Sequence, residues 1–401
     1  MTPHILIIGA GFAGVWSALS AARLLDLAQR GDIGISVLAP QPELRIRPRF
    51  YEPEVHAMKA PLSELFDAVG VNFIEGHAQA IDAQANTVTY TDAQGDVRVL
   101  GYDRLILAAG SEVVRPPVPG LAEHSFDIDQ MESAVRLERH LTALASQPNT
   151  PARNTVVIGG GGFTGIEIAT QMPPRLRAAW GKDAAVRVLI VDRGQSVGQA
   201  LGAGITPAIE AASKHAGVEW VTGVSVVSMD AGGVTLDNGE YIASKTVIWT
   251  AGVKASPLTA QVVGERDAQG RLKVDGHLKV IGQERIYATG DVAWAAVDDL
   301  GNHALMTCQH AIPMGRHSGN NAMADLLGFE PVVYRQPKYV TCLDLGDWGA
   351  AYSEGWERTL HLQGQEGKNL KRQINSVWIY PPAADRKAAL AAADPLIPIV
   401  A

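Results

Sequence analysis

Short apolar runs recur along the chain, and each leads into a glycine-rich turn or a longer amphipathic stretch. The first run, residues 5–8, precedes a glycine cluster and an alanine-rich stretch that extends to about residue 29. A similar run at 155–158 is followed by a helical stretch and by the apolar segment 186–191. Apolar runs of four to eight residues are typical of buried strands, and their alternation with helical segments predicts an α/β fold with parallel sheets.

The same order of elements occurs twice. Residues 71–100 and 218–241 alternate apolar with polar positions and contain turn residues, which is typical of a β-meander. Each meander leads into another apolar run, at 105–107 and at 247–249. A repeated strand, helix, strand, meander and strand predicts two Rossmann-like dinucleotide-binding domains.

The end of the first domain is predicted to lie after the second one. A strand at 286–288 runs into Gly290 and Asp291, and a helix is expected from about residue 308 to 327. The second domain is therefore inserted into the first in this prediction. We assign residues 1–115 and 265–334 to the first domain, 116–264 to the second, and 335–401 to a small C-terminal α+β segment.

Composition narrows the class of protein. The 401 residues include 42 acidic and 34 basic side chains, and the net charge of −8 argues against a nucleic-acid-binding protein. No charged-then-apolar leader and no apolar run of 18 residues is evident, so a cytoplasmic protein is expected. Cys308 and Cys342 lie 34 positions apart, which does not suggest a disulfide scaffold or a redox-active CxxC pair.

Both glycine clusters match the pattern GxGxxG between a strand and a helix, which is the context that the motif requires. The first glycine permits a tight turn, the second lets the backbone approach a pyrophosphate, and the third lets helix and strand pack closely. The helix N-terminus then offers free N–H groups to the phosphates. The residues predicted to contact nucleotides are Gly9, Gly11, Phe12, Ala13 and Gly14 in the first cluster and Gly160, Gly162, Phe163, Thr164 and Gly165 in the second.

The residue after the second strand distinguishes the two domains. Asp192 stands where a carboxylate would bind ribose hydroxyls, and it favours NADH over NADPH because it would repel a 2′-phosphate. In the first domain the matching position is Ala39, so the expected carboxylate is missing. Gln41, Glu43 or the backbone alone are left open as replacements.

Four segments together resemble the type II NADH dehydrogenases: Gly160–Glu167, Val247–Gly252, Ala288–Asp291 and Gln309–Ala311. The resemblance covers roughly residues 4–330. It implies FAD in the first domain and NADH in the second, with hydride passing from NADH to the flavin and electrons then passing to a quinone or a similar small acceptor. The further cofactor-binding residues predicted are Ala109, Gly110, Gly252, Gly290, Asp291 and Ala311.

The resemblance also implies catalytic residues. Glu167 matches a glutamate near the contact of nicotinamide and flavin, although acidic residues favour the first turn of a helix in any protein. Gln309 and His310 match a segment on the acceptor side of the flavin. Pro313 and Met314 replace the glutamine pair that lines the quinone site in the family, which leaves the acceptor open.

Basic and histidine residues give further hypotheses. Arg47 and Arg49 follow the first crossover, and one or both are predicted to neutralise the FAD pyrophosphate or an anionic substrate, with a solvated basic loop as the alternative. Histidines at 303, 310 and 317 are seven residues apart, which does not match a compact ligand motif, so no metal site is predicted.

The C-terminal segment is predicted to contact a dimer partner, the acceptor or a membrane surface. Leu370, Ile374, Val377 and Trp378 share a helical face near basic residues, which is typical of contact with anionic lipid. Packing of this face on the protein itself is the alternative. For the whole protein, the competing hypotheses are a ferredoxin-reductase-like enzyme with a protein acceptor, a flavoprotein with a signalling or binding role, and a protein that has lost FAD.

Overall fold

A computed structural model describes residues 2–398. The first part of the chain forms most of one sheet and the helix that packs on it. In chain order its elements are β1 (His4–Ile8), α1 (Phe12–Leu27), β2 (Gly34–Ala39), β3 (Glu43–Arg45), β4 (Lys59–Pro61), α2 (Ser63–Val69), β5 (Asn72–Asp82), β6 (Thr87–Asp92), β7 (Val97–Gly101), β8 (Arg104–Leu107) and β9 (Ser111–Val113).

The next part repeats this plan in a second unit. Its elements are α3 (Leu121–His124), α4 (Met131–Leu144), α5 (Pro151–Asn154), β10 (Thr155–Gly159), α6 (Phe163–Trp180), β11 (Arg187–Asp192), α7 (Thr206–Ala216), β12 (Val218–Thr222), β13 (Val226–Asp230), β14 (Gly233–Leu236), β15 (Tyr241–Ala243), β16 (Thr246–Trp249) and β17 (Val253–Ala255).

The last part returns to the first sheet and then adds a C-terminal unit. Its elements are β18 (Leu272–Lys273), β19 (Ile286–Ala288), β20 (Ala293–Trp294), α8 (Cys308–Leu327), β21 (Val340–Asp344), β22 (Ala350–Glu354), β23 (Thr359–Leu362), α9 (Gly364–Gln373), the π-helical turn Ile374–Trp378 and α10 (Arg386–Ala392).

The first sheet has the strand order β19–β8–β1–β2–β5–β6–β7. Its first five strands are parallel, whereas β5, β6 and β7 form the antiparallel meander that the alternating pattern predicts. Strand β19, which follows the second unit in the sequence, pairs with β8 of the first unit. The second unit is therefore inserted into the first, as predicted. The domain boundaries at 115, 264 and 334 remain a prediction.

The second sheet has the parallel order β12–β11–β10–β16, with the antiparallel β13–β14–β15 beside it. The short strands β9 and β17 pair with each other and join the two units. The observed α/β architecture with two Rossmann-like units confirms the predicted fold class.

The C-terminal unit packs against the second Rossmann unit. Its three strands, β21–β22–β23, form an antiparallel sheet on which α9 lies. Gly346, just after β21, is so close to α6 that a Cβ atom there would lie 2.5 Å from the carbonyl oxygen of Thr170. This contact places the end of β21 and the face of α9 beside the first turns of α6.

Helices α1 and α8 form the most extensive helix contact of the first unit. Glycines of α8 allow it: a Cβ atom on Gly315 would lie 2.4 Å from the carbonyl oxygen of Ala13, and one on Gly319 would lie 2.0 Å from that of Ser17. Close approach of the backbones brings the N-terminal turns of both helices to the same edge of the sheet.

Candidate active site

The first of two cavities lies at the carboxyl edge of the first sheet. It has a volume of about 680 Å³ and extends from the first glycine cluster to the C-terminal unit. Gly9 has φ +108°, and a Cβ atom there would lie 2.4 Å from the carbonyl oxygen of Ala108, while one on Gly14 would lie 1.8 Å from that of Gly9. A Cβ atom on Gly11 would meet nothing within 4 Å, because this glycine borders open space. The loop therefore leaves room for a pyrophosphate at the N-terminus of α1.

The second cavity, of about 1010 Å³, is built in the same way around the second cluster. Gly162 borders open space, whereas a Cβ atom on Gly165 would lie 1.9 Å from the carbonyl oxygen of Gly160. The Asp192 carboxylate accepts hydrogen bonds from the backbone N–H groups of Gly161, at 2.6 Å, and Gly194, at 2.7 Å. Asp192 thus holds the loop and lines the cavity at once.

The two cavities are adjacent. Gly252 lines the second cavity, and the next residue, Val253, lines the first. Phe163 and Thr164 belong to the second glycine cluster but face the first cavity. Nucleotides bound in the two cavities would therefore approach each other near the first turns of α6.

Most residues predicted from the sequence border one of these cavities. The first cavity is lined by Gly9, Gly11, Phe12, Ala13, Arg47, Ala109, Gly110, Phe163, Thr164, Glu167, Gly290, Asp291, Gln309 and Ala311, and the second by Gly160, Gly162, Asp192 and Gly252. Gly14 and Gly165 line neither cavity, because their role is the close packing of helix on strand.

Arg49 does not line either cavity. Its guanidinium donates to the Glu52 carboxylate, at 2.6 Å, and to the Tyr380 hydroxyl, at 3.0 Å. These contacts tie the loop after β3 to the C-terminal unit. Arg45, which the sequence did not single out, lines the first cavity instead.

His310 also lies away from the cavities. It is fully buried, its ring stacks at 5.8 Å on Tyr339, and its Nδ1 lies 3.0 Å from the Thr307 hydroxyl. Burial lowers the pKa of His310 to about 4, so the ring is neutral at pH 7. Gln309 and Ala311, the residues on either side, do face the first cavity.

Arg47 lies among acidic residues at the middle of the first cavity. Its guanidinium donates to the Ser111 hydroxyl at 2.8 Å, forms an ion pair with Asp129 and lies 3.7 Å from Asp291. The Ser111 hydroxyl in turn donates to Asp291 at 2.6 Å. Burial raises the pKa of Asp291, and Arg47 opposes that change. This arrangement offers both a cation for phosphate and a carboxylate for sugar hydroxyls.

The residue at the end of β2 is Ala39, so no carboxylate is present there, but the carboxylate of Glu43 lies nearby. Glu43 lines the same cavity as Ala39. Its carboxylate accepts from Lys59 at 2.7 Å and from Arg45 at 3.0 Å. Although burial opposes it, these hydrogen bonds lower the pKa of Glu43, so the group is ionised at pH 7. Gln41 lines the cavity as well.

A buried ion pair closes the far end of the first cavity. The Glu167 carboxylate accepts from the Lys371 ammonium at 2.8 Å and from the backbone N–H of Asp344 at 3.0 Å. Lys371 also donates to the carbonyl oxygen of Cys342 at 2.9 Å. Burial raises the pKa of Glu167, which Lys371 partly offsets, and the Glu167 carboxylate raises the pKa of Lys371 despite burial.

Sequence reasoning missed the contribution of the C-terminal unit to this cavity. Lys371 is one of the basic residues near the apolar helical face of the C-terminal segment, and no local pattern connects it with Glu167, 204 residues away. Further lining residues from outside the predicted set are Cys308, Tyr339, Thr341, Cys342, Ile374, Asn375 and Ile379. Pro313 and Met314, by contrast, are buried in α8 and do not line the cavity; Met314 packs in an apolar cluster with Leu6 and Leu107 of the first sheet.

Two glycine-loop cavities that meet beside a buried carboxylate define a flavoprotein oxidoreductase with two dinucleotide-binding domains. The sequence profile of the family described as pyridine nucleotide-disulphide oxidoreductase matches residues 3–315. The chain belongs to this family.

Comparison with individual proteins narrows the class. An NADH dehydrogenase-like protein of Mycobacterium tuberculosis is 45% identical over 395 residues, which is 97% of each chain. Demethylphylloquinone reductase of Synechocystis is 29% identical, covering 88% of this chain and 86% of its own. The structure of NDH2 of Plasmodium falciparum in complex with NADH superposes with a TM-score of 0.77 at 13% identity, over 98% of this chain and 97% of that one.

These findings confirm the predicted kinship with type II NADH dehydrogenases. The protein is an NADH-dependent oxidoreductase of this kind, and FAD and NADH are the cofactors typical of its family. None of the helices formed by residues 2–398 is both long and apolar enough to cross a bilayer.

Proposed function

We propose that the protein transfers the electrons of NADH, through FAD, to a small quinone-like acceptor that binds at the Lys371 end of the first cavity. The observation that supports this acceptor best is the buried Lys371–Glu167 pair in a cavity end otherwise lined by uncharged side chains, including Ile374 and Ile379. A quinone ring is apolar, but its oxygens become negative on reduction. Such a ligand matches a cavity end with uncharged walls in which the ammonium of the Lys371–Glu167 pair can donate to its oxygens.

When bound, FAD would supply the redox chemistry, namely acceptance of a hydride from the nicotinamide and transfer of two electrons to the acceptor. The chain positions these partners. The glycine loops hold the two pyrophosphates at helix N-termini, Arg47 and Asp291 hold the linking region of FAD, and Asp192 selects the ribose of NADH. Phe163 and Thr164 border the place where the nicotinamide meets the flavin.

Lys371 acts on the acceptor in this proposal. Its Nζ donates a hydrogen bond to an acceptor oxygen and stabilises the negative charge that develops there, as fixed donors do in low-dielectric sites. Glu167 keeps Lys371 protonated, since its carboxylate raises the pKa of that ammonium. Because both side chains are pre-ordered by hydrogen bonds, little reorganisation accompanies the electron transfer.

The surface next to this cavity end indicates where the acceptor enters. Val377 and Trp378 are 61% and 52% exposed, while Ile374 and Ile379 in the same stretch line the cavity. Exposed aromatic and apolar residues beside basic ones favour contact with a bilayer interface. A lipid-dissolved quinone would then enter beside Trp378.

The test is an anaerobic titration with NADH followed by a soluble quinone, in which the visible flavin band is measured. We expect bleaching by NADH and rapid recovery with quinone in the wild type. Lys371→Met should slow recovery by about a hundredfold, the usual effect of losing one pre-ordered donor, and leave bleaching unchanged. Arg372→Met, an exposed charge on the same helix, is the matched control.

Bleaching without recovery in the wild type would contradict the quinone proposal. If a small redox protein then restored the flavin band with a rate that falls steeply as salt rises, a ferredoxin-reductase-like function would replace it. Equal recovery rates for Lys371→Met and wild type would remove Lys371 from the acceptor site.

A further inference from the structure

A second ion pair lies directly behind the Glu167–Lys371 pair. The Asp344 carboxylate accepts from the Lys368 ammonium through both of its oxygens, at 2.7 Å and 2.8 Å. It also accepts from Gln171 at 3.0 Å and from the Tyr51 hydroxyl at 3.2 Å. The backbone N–H of the same Asp344 donates to Glu167, so one residue joins both pairs.

This second pair is buried but does not line either cavity. The Asp344 side chain is 6% exposed and that of Lys368 is 15% exposed. Neither residue borders the space where cofactor or acceptor would bind. The Asp344–Lys368 pair therefore does not contact the acceptor directly.

The geometry makes Asp344 relevant to the charge on Glu167. Burial is the main cause that raises the pKa of Glu167; Lys371 and the Asp344 backbone N–H lower it, and the Asp344 carboxylate, a like charge, adds a smaller increase. Lys368 is the cation that pairs with Asp344, as Lys371 pairs with Glu167. The other titratable or charged groups around these four are Tyr51, Glu52, Cys308 and Cys342.

We propose that Asp344 and Lys368 are positioning residues: Asp344 orients the Glu167–Lys371 pair through its backbone N–H, and Lys368 neutralises the Asp344 carboxylate so that the pair stays ionised, without either residue contacting the acceptor. This inference rests on the proposed function for its consequence in catalysis. Lys368 neutralises Asp344, and the anchored Asp344 directs its backbone N–H at Glu167. Without Lys368, an unpaired buried carboxylate would oppose ionisation of Glu167.

Infrared titration tests this without any acceptor. The carboxylic-acid band of Glu167, identified by its loss in Glu167→Gln, gives the midpoint at which Glu167 takes up a proton. We expect Lys368→Met to raise that midpoint by about one pH unit or more and Asp344→Asn to lower it. The double variant should return to within about half a unit of wild type, since both charges are gone. Lys368→Arg, which keeps the charge, and Arg372→Met should leave the midpoint unchanged.

Flavin reoxidation by quinone gives the second readout. In Lys368→Met we expect it to slow by about tenfold at neutral pH and to regain speed as the pH rises, while bleaching by NADH stays within about twofold of wild type. Flavin content and the thermal midpoint of each variant verify folding. If Lys368→Met does not fold, the Glu167 midpoint measured in Asp344→Asn alone tests the proposal.

The two proposals fail differently. An unchanged Glu167 midpoint in Lys368→Met and Asp344→Asn, in protein that quinone reoxidises, would overturn the positioning role and leave the quinone proposal intact. Shifted midpoints in protein that quinone never reoxidises would overturn the quinone proposal and leave the positioning pair intact.

Discussion

At the residue scale, neighbours on one helix have opposite surroundings. Gln309 and Ala311 face the first cavity, whereas the ring of His310 is buried against Tyr339 and Trp356. Successive residues of an α-helix point about 100° apart, so a matching tripeptide does not place all three side chains in one site. The predicted acceptor role of His310 stays untested, but its position favours a structural one.

Burial of His310 predicts a pH-dependent stability. Its pKa falls from 6.5 to about 4 on folding, so between these values the unfolded chain binds more protons and stability decreases as pH falls. The free energy of unfolding should therefore decrease by about 2 kcal/mol between pH 7 and pH 5. His310→Gln should reduce that difference in urea unfolding, while NADH still bleaches the flavin. An equally steep pH dependence in the variant would show that other groups cause it.

At the element scale, the packing of α1 on α8 sets the shape of the first cavity. Helix α1 presents its N-terminus to the glycine loop, and α8 presents Cys308, Gln309 and Ala311. The spacing of the helices depends on Gly315 and Gly319, where any side chain would meet backbone. The sequence predicted both helices but contained no pattern for this contact.

Gly319→Ala tests the packing of these helices. The added methyl would lie 2.0 Å from the carbonyl oxygen of Ser17, so the helices must separate. We expect a loss of about 1–3 kcal/mol in unfolding free energy and weaker FAD retention on dilution. Gly31→Ala is the control, because a Cβ atom there meets nothing within 4 Å. A variant as stable as wild type would mean that the helices adjust at no cost.

At the scale of the whole molecule, three chain segments build the first cavity. The first Rossmann unit supplies the glycine loop, the second supplies Glu167, and the C-terminal unit supplies Lys371. The exposed pair Val377 and Trp378 lies next to this shared end. The C-terminal unit thus connects the proposed acceptor site with the proposed membrane surface.

Vesicle binding tests that surface. We expect the wild type to sediment with vesicles that contain anionic lipid, and a Val377→Ser and Trp378→Ser double variant to bind about tenfold more weakly, since two apolar side chains no longer enter the interface. Val97→Ser with Val99→Ser, two exposed valines on the edge strand β7, controls for surface apolarity in general. Equal binding of both double variants would contradict a specific docking face.

The sequence by itself determined the two Rossmann units, their insertion and their glycine loops. The strands, helices and glycine turns of these units have local patterns of apolar, polar and glycine residues, and the order of those patterns occurs twice, so the sequence displays them. The helix at 308–327 and the meanders were predictable for the same reason.

Only the tertiary structure decided which side chains meet in the site. Glu167 and Lys371 are 204 residues apart, and Glu167 also accepts from the backbone N–H of Asp344, a contact that no side-chain pattern reveals. The positions of Arg49 and His310 likewise depend on their distant partners Tyr380 and Tyr339. Burial and pairing of charges depend on which segments pack together, and packing between distant segments has no local signature in the sequence.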